Sequence, residues 1–337
     1  MRDSARQTRS HLVRLFEQQG VRPRHDLGQN FLVDLNLLDL IVRQARLSTA
    51  DVVLEVGAGT GSLTERLARA AGHVVSVECD PHVFGHLRQL LGSHPRVTLI
   101  HGDALESKHA LSPEVLAALR SALRQVAQAE AQQAESLAGD CGNPWALQAR
   151  DVTCKLVANL PYHIATPVIS NLVASDLPWS RMVVTIQWEL AERMQARPGT
   201  SDYGALSVWL QAQTRINVVR KLPPSVFWPP PKVDSAVVVI ERDAEAQAAI
   251  ADRALFHQFV REVFTQRRKR LLGVLAGRSG PEPSGERRSD PPGLPARRTR
   301  AELQKLFAEL GIVPEARAEE LAVGTLVQLA NRLAAPS

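Results

Sequence analysis

The sequence predicts an α/β fold: a largely parallel sheet of the nucleotide-binding kind covered by helices, followed by a small all-helical C-terminal domain. Three observations predict it. Residues 51–63 read Asp-Val-Val-Leu-Glu-Val-Gly-Ala-Gly-Thr-Gly-Ser-Leu, an apolar strand buried on both faces that runs into a glycine turn and then a helix. Strand-sized apolar runs at 74–77, 97–100, 156–158, 182–187, 218–222 and 237–240 follow, the first of them alternating with helical segments. From about residue 244 only helical spacing remains.

A chain of 337 residues is long for one domain and suggests two. With 45% apolar and 22% charged residues it can bury a real core, and it has no run of about 18 apolar residues that could span a membrane. The polar, Arg-rich start lacks a secretory signal, so a cytoplasmic protein is expected. Cys79, Cys141 and Cys154 have no paired spacing, which argues against a disulfide framework, and no metal site is expected. Net charge is +5, gathered in three places: Arg2, Arg6, Arg9, Arg14, Arg22 and Arg24; Arg267-Arg268-Lys269-Arg270; and Arg287, Arg288, Arg297, Arg298 and Arg300. Such clusters suit phosphate neutralisation, although each alone could be a solvated face.

Residues 1–24 read as a basic arm with a short amphipathic pattern (Leu12, Val13, Leu15, Phe16). Leu27-Gly28-Gln29-Asn30-Phe31-Leu32 leads into a helix with an apolar face of Leu35, Leu38, Ile41, Val42 and Ala45, and could fold over a cofactor or serve as a plain lead-in. In the glycine turn, Gly57, Gly59 and Gly61 let the backbone lie against a nucleoside-sized ligand. Their G-x-G-x-G spacing differs from the dinucleotide fingerprint G-x-G-x-x-G, which weakens the case for NAD. Glu78 ends the second strand, where a carboxylate can accept both ribose hydroxyls. Asp103, at the end of the third, is placed to accept from an adenine amine or to cap a helix. Residues 106–153 break the rhythm and read as a helical insertion with no clustered chemistry.

The next strand exits into Asn159-Leu160-Pro161-Tyr162-His163. An exocyclic base amine is a poor nucleophile because its lone pair is delocalised into the ring. Two acceptors that take its hydrogens, the Asn159 carboxamide oxygen and the Leu160 carbonyl, favour a pyramidal nitrogen aimed at an electrophilic methyl. Pro161 stiffens the turn and Tyr162 offers a stacking face, so the substrate is expected to be an extruded or single-stranded base. Residues 223–235, Pro-Pro-Ser-Val-Phe-Trp-Pro-Pro-Pro-Lys-Val-Asp-Ser, form a stiff excursion that could present Phe227 opposite Tyr162 or simply anchor Phe227 and Trp228 on the core. The expected division is a basic arm at 1–24, the α/β domain at 25–243 and a helical domain at 244–337, with a flexible loop at about 277–299.

These motifs resemble the KsgA family of S-adenosylmethionine-dependent dimethyltransferases, which modify two adjacent adenosines near the 3′ end of small-subunit rRNA. Carrying residues are 27–32, 55–61, 159–162, Tyr203-Gly204 with Leu206-Ser207-Val208, Pro230-Pro231-Lys232-Val233-Asp234-Ser235, and Gln266-Arg267-Arg268-Lys269. The resemblance implies a Rossmann-like methyltransferase sheet with S-adenosylmethionine held by Asn30, Leu32, Gly57, Gly59, Glu78, Asp103 and Asn159. It implies a target adenine held by Asn159, Leu160, Pro161, Tyr162 and Phe227, and RNA contacts from Lys232, Arg267, Arg268 and Lys269. The implied partners are small-subunit rRNA and the immature small subunit, met by a monomer. Trp188 and Ala205 stand where the family usually has Lys and Arg. Three rivals remain: a large-subunit rRNA dimethyltransferase of the antibiotic-resistance type, which usually has Ile at the position of Leu160; a non-catalytic assembly factor; and a flavin or NAD enzyme.

Overall fold

A computed structural model describes residues 9–18, 23–24, 27–141, 151–276 and 298–334. The loop expected at about 277–299 lies outside them except for its last two residues, as does much of the arm. In chain order the elements are α1 (Arg9–Gln18), β1 (Phe31–Leu32), α2 (Leu35–Ala45), β2 (Asp51–Val56), α3 (Ser62–Ala70), β3 (His73–Glu78), α4 (Pro81–Leu91), β4 (Val97–His101), β5 (Leu105–Ser107), β6 (Ala110–Leu111), α5 (Pro113–Cys141), β7 (Thr153–Asn159), α6 (Tyr162–Ala174), β8 (Trp179–Gln187), α7 (Trp188–Met194), α8 (Ala205–Gln211), β9 (Thr214–Leu222), β10 (Phe227–Trp228), β11 (Ser235–Arg242), α9 (Ala244–Ala248), α10 (Arg253–Thr265), α11 (Leu271–Ala276), α12 (Arg300–Glu309) and α13 (Val323–Ala334).

Seven strands form one sheet in the order β4-β3-β2-β7-β8-β11-β9. Strands β4, β3, β2, β7 and β8 run parallel, and β11 is antiparallel to β8. The order reverses between β2 and β7, and a crevice at the carboxyl ends of the strands beside such a reversal is where open α/β sheets bind ligands. Every residue of β2 and β3 is buried, as their apolar runs require of strands covered on both faces. One face packs on α2 and α3 through Leu37, Ile41, Leu63 and Leu67 against Val53, Val74, Val157, Val183 and Val237. Side-chain caps set the helix starts: Asp34 Oδ1 accepts from Asn36 N and Leu37 N, and Asp80 Oδ1 accepts from His82 N and Val83 N ahead of Pro81.

The first half of the segment read as an insertion at 106–153 is part of the fold. Val115, Leu119, Ala122 and Val126 recur at helical spacing, are buried, and place the first half of α5 against β2 and β3. From residue 127 the helix is mostly exposed. Helix α1 likewise seats on the fold instead of standing off as an arm: Leu12 and Phe16 are buried, and the Phe16 ring lies 5.3 Å from both Phe31 and Trp228.

The chain divides into two compact units, residues 1–191 with 217–241, and residues 192–216 with 242–337. The second therefore takes 192–216, which the expected boundary had left with the sheet. Within it Trp209 of α8 lies 4.4 Å from His257 and 6.2 Å from Phe256, and the buried Tyr203 donates its hydroxyl to the Leu321 carbonyl at 2.9 Å. Ser207 accepts from Gly204 N at 3.1 Å and donates to the Arg193 carbonyl, so Tyr203 and Ser207 fasten this unit together. No helix among the described residues is long and apolar enough to cross a membrane.

The two halves of α5 should respond differently to truncation. Leu119→Ala is expected to lower unfolding free energy by about 2–5 kcal/mol, whereas Gln132→Ala should change it by no more than about 0.5 kcal/mol; urea denaturation compares the two.

Candidate active site

At the sheet's switch point an open cavity of about 850 Å³, including its mouth, is lined by the glycine turn, the ends of β3 and β7, the first turn of α6 and the 27–31 segment. Gly57 and Gly59 have φ of +77° and +58°, the left-handed region that favours glycine. A Cβ would lie 3.0 Å from Pro161 at Gly57 and 3.1 Å from Phe31 at Gly59, so any larger residue would push into the cavity's own walls. Gly57 N and Ala58 N both donate to the Val77 carbonyl, at 2.9 and 3.1 Å, which folds the turn onto the end of β3.

Glu78 closes this arrangement. Its carboxylate accepts from Gly59 N at 2.8 Å through one oxygen and from Asp80 N at 2.9 Å through the other, leaving each oxygen a further lone pair. Burial raises its pKa, opposed by those two backbone donors and more weakly by the backbone of Cys79. Beneath the turn Glu55 is fully buried and accepts from the hydroxyls of Thr64 and Ser76, both at 2.6 Å. Burial is the main reason its pKa rises to about 7. Asp103 lines the cavity and accepts from Leu105 N at 2.9 Å, capping a turn into β5 and not a helix. The neighbouring Cys79 thiol is pushed by burial to about 11, which keeps it protonated at neutral pH.

The 27–31 segment is tied over this floor. Gln29 Nε2 donates to Asp80 Oδ2 at 3.0 Å, and Asn30 Nδ2 to the Gly28 carbonyl at 3.1 Å. The Asn30 carbonyl accepts from Asn159 Nδ2 at 2.8 Å. With its donor end engaged, Asn159 presents Oδ1 as an acceptor. Among the described residues no donor meets that oxygen or the Leu160 carbonyl, and both residues line the cavity. Leu160 N is held by the Thr185 carbonyl at 3.1 Å. Pro161 precedes the first turn of α6, and Tyr162, half-buried with its phenol pKa raised by burial, bonds Ser235 Oγ through its hydroxyl at 2.6 Å.

Asn30, Gly57, Gly59, Glu78, Asp103, Asn159, Leu160, Pro161 and Tyr162 thus come together on one cavity. Leu32 and Phe227 do not. They face each other in the β1–β10 ladder, 7% and 3% exposed, with their side chains in the core. Side chains alternate along a strand, so when Leu32 and Phe227 turn inward, Phe31 and Trp228 turn to the other face. Phe31 is therefore the phenyl ring that joins Tyr162 on the lining. Gln29, Phe31 and His163 are further lining residues that carried no assigned role; the first two sat inside the 27–32 motif, and His163 follows Tyr162 directly.

Lys232, Arg268 and Lys269 are exposed. Arg267 is partly committed, donating to the Ser201 carbonyl at 2.9 Å and pairing with Glu319 at 3.5 Å. At the end of β8, Lys221 Nζ sits 4.6 Å over the Trp188 ring and pairs with Asp234 at 3.0 Å, so a cation stands beside position 188 although position 188 itself carries none. Among the described residues no cluster of His, Cys, Asp and Glu could hold a metal ion.

A glycine turn facing a nucleoside-sized cavity, on a parallel sheet whose last strand is reversed, defines the Rossmann-like methyltransferases. More narrowly, the family described as ribosomal RNA adenine dimethylase matches residues 20–282, and the chain belongs to that family. Ribosomal RNA small subunit methyltransferase A of Geobacillus kaustophilus is 34% identical over 95% of this chain and 94% of its own length. Its counterpart in Pelotomaculum thermopropionicum is 36% identical over 94% and 93%. Among solved structures, a dimethyladenosine transferase from Plasmodium falciparum superposes with a TM-score of 0.62 at 21% identity, covering 89% of this chain and 95% of that one. The 23S rRNA methyltransferase ErmE gives 0.55 at 23%, covering 90% and 99%. Both share the fold.

Because Glu55 titrates near 7 when folded and near 4.5 when unfolded, its neutral form favours the native state. That contribution, at most about 3 kcal/mol, is complete below pH 4.5 and is lost as pH rises through 7. The parent protein's Tm should therefore fall between pH 5 and 8, and Glu55→Gln should flatten that fall in thermal scans.

Proposed function

We propose that this chain transfers methyl groups, four in all, from S-adenosylmethionine to N6 of two adjacent adenosines in a loop near the 3′ end of small-subunit (16S) rRNA. The observation that carries the reading is the pair of unengaged acceptors, Asn159 Oδ1 and the Leu160 carbonyl, on the same cavity as the glycine turn and Glu78. A primary aromatic amine offers two hydrogens to two such acceptors. The names carried by the small-subunit methyltransferase relatives support the choice of substrate.

The residues fit the cofactor. Glu78 keeps a lone pair on each oxygen for the two ribose hydroxyls, and Asp103 keeps an oxygen for the adenine amine. The glycine turn lies directly against Pro161 and Phe31, with no room for a Cβ at Gly57 or Gly59 without displacing these cavity walls. When bound, S-adenosylmethionine supplies an electrophilic methyl on a positively charged sulfur. The chain's own contribution is positioning: Asn159 and Leu160 take the target amine's hydrogens so that its lone pair points along the line of displacement, and the Tyr162 ring stacks on the base. Asn30 holds the Asn159 carboxamide in the required orientation. No covalent enzyme intermediate is needed. Lys232, Arg268 and Lys269 are assigned to RNA phosphates, and the helical unit to RNA binding. The protein is read as a cytoplasmic monomer that meets the immature small subunit.

Incubating the protein with immature small subunits and methyl-labelled cofactor should yield N6-dimethyladenosine in small-subunit rRNA; label only in large-subunit rRNA, or none with cofactor bound, would overturn the assignment. Asn159→Ala should lower kcat by roughly 10²–10³-fold, the effect of deleting one aligned polar group in a transition state. Tyr162→Ala should lower kcat/KM by roughly 5- to 150-fold, the equivalent of one lost stacking contact.

A further inference from the structure

The 2.6 Å contact between the Tyr162 hydroxyl and Ser235 Oγ has no part in the scheme above. Ser235 is completely buried and opens β11, where its register partner is Gln187, the last residue of β8. One residue earlier, the Asp234 carbonyl accepts from Trp188 N at 2.9 Å, so the backbone on the N-terminal side of Ser235 is pinned to the same chain end. Strand β8 is itself locked beside β7, with Thr185 opposite Asn159 and the Thr185 carbonyl accepting from Leu160 N. Three neighbouring strands therefore place the Ser235 hydroxyl in fixed relation to the two acceptors. Tyr162 sits three residues past Asn159, on the first turn of α6, and its ring turns about two side-chain bonds. Among the described residues, the hydrogen bond its hydroxyl makes is this contact at the ring's tip.

We propose that Ser235 is a positioning residue: through its hydrogen bond to the Tyr162 hydroxyl it holds that ring in place as a wall of the adenine pocket. The inference rests on the reading of Tyr162 as the ring that stacks on the target base. Stacking on a ring already oriented incurs no ordering cost when the base arrives; stacking on a swinging ring does. Ser235 touches neither reacting atom, so its effect passes entirely through Tyr162. The stiff loop 223–234 ends at this serine, which gives that proline-rich segment a function different from presenting Phe227: it delivers a hydroxyl to the tip of a tyrosine.

The test is a double-mutant cycle on the full chain, using small subunits as substrate, with cofactor affinity measured by calorimetry and Tm by thermal unfolding. Ser235→Ala is expected to reduce kcat/KM for the RNA by roughly 2- to 13-fold, the equivalent of one net hydrogen bond, with cofactor affinity unchanged. Tyr162→Phe keeps the ring, loses the hydroxyl, and should give the same reduction. The double variant should be no worse than either single, and Ser235→Thr should restore activity. Wild-type kcat/KM in Ser235→Ala, losses that multiply in the double variant, or a Ser235→Ala defect in cofactor affinity would each overturn the proposal. Should Ser235→Ala fail to fold, Tyr162→Phe decides alone: unimpaired kcat/KM there overturns it. Tyr162→Ala separates the two readings, because wild-type activity in that variant removes the stacking role itself. Loss in Tyr162→Ala with Tyr162→Phe unimpaired removes only the role of Ser235.

Discussion

The hydrogen bond from Asn159 Nδ2 to the Asn30 carbonyl joins the exit of β7 to the segment that lies over the glycine turn. It also orients an otherwise ambiguous side chain. A carboxamide can donate from one end and accept at the other, and by engaging the donor the protein leaves an acceptor on the cavity. Around it, Gln29 binds the cap of α4, Glu78 binds the turn, and Leu160 N binds β8, so four chain segments meet with few rotatable bonds between them. The chemistry proposed for the site needs that rigidity, since two acceptors must stand where an amine's hydrogens arrive.

The placement of residues at fixed chain offsets was legible in advance. The turn glycines, Glu78 at a strand tip, Asp103 at the next, and the Asn-Leu-Pro-Tyr exit all lie at carboxyl ends of strands whose order follows from alternating apolar runs. Their convergence on one cavity is a property of the parallel sheet. What escaped depends on which face of an element a side chain takes. Phe227 and Phe31 exchanged places because a two-residue ladder between distant segments sets their facing, and nothing in residues 223–235 specifies that register. Helix α6 went unassigned because Pro167 lies within it, a residue that ordinarily marks a helix boundary. The first half of α5 passed for an insertion because its stripe of Val115, Leu119, Ala122 and Val126 is set in an Ala/Gln-rich run that carries no chemistry.

Charge shows the same division between tally and placement. Arg267 belongs to a run that reads as a uniform patch, yet it spends one donor on Ser201 and pairs with Glu319, holding a turn of the helical unit. Arg268 and Lys269 beside it face solvent. Near the end of β8, Lys221 from a different strand places an ammonium over the Trp188 ring while pairing with Asp234.

The cluster of Phe16, Phe31 and Trp228 links helix α1 to the lining of the cavity. Phe31 lies against Gly59 and also packs on the Phe16 ring. A truncation that passes residue 16, ordinarily treated as harmless handling of an N-terminus, would here remove one of the two rings packed against a residue of the cavity wall.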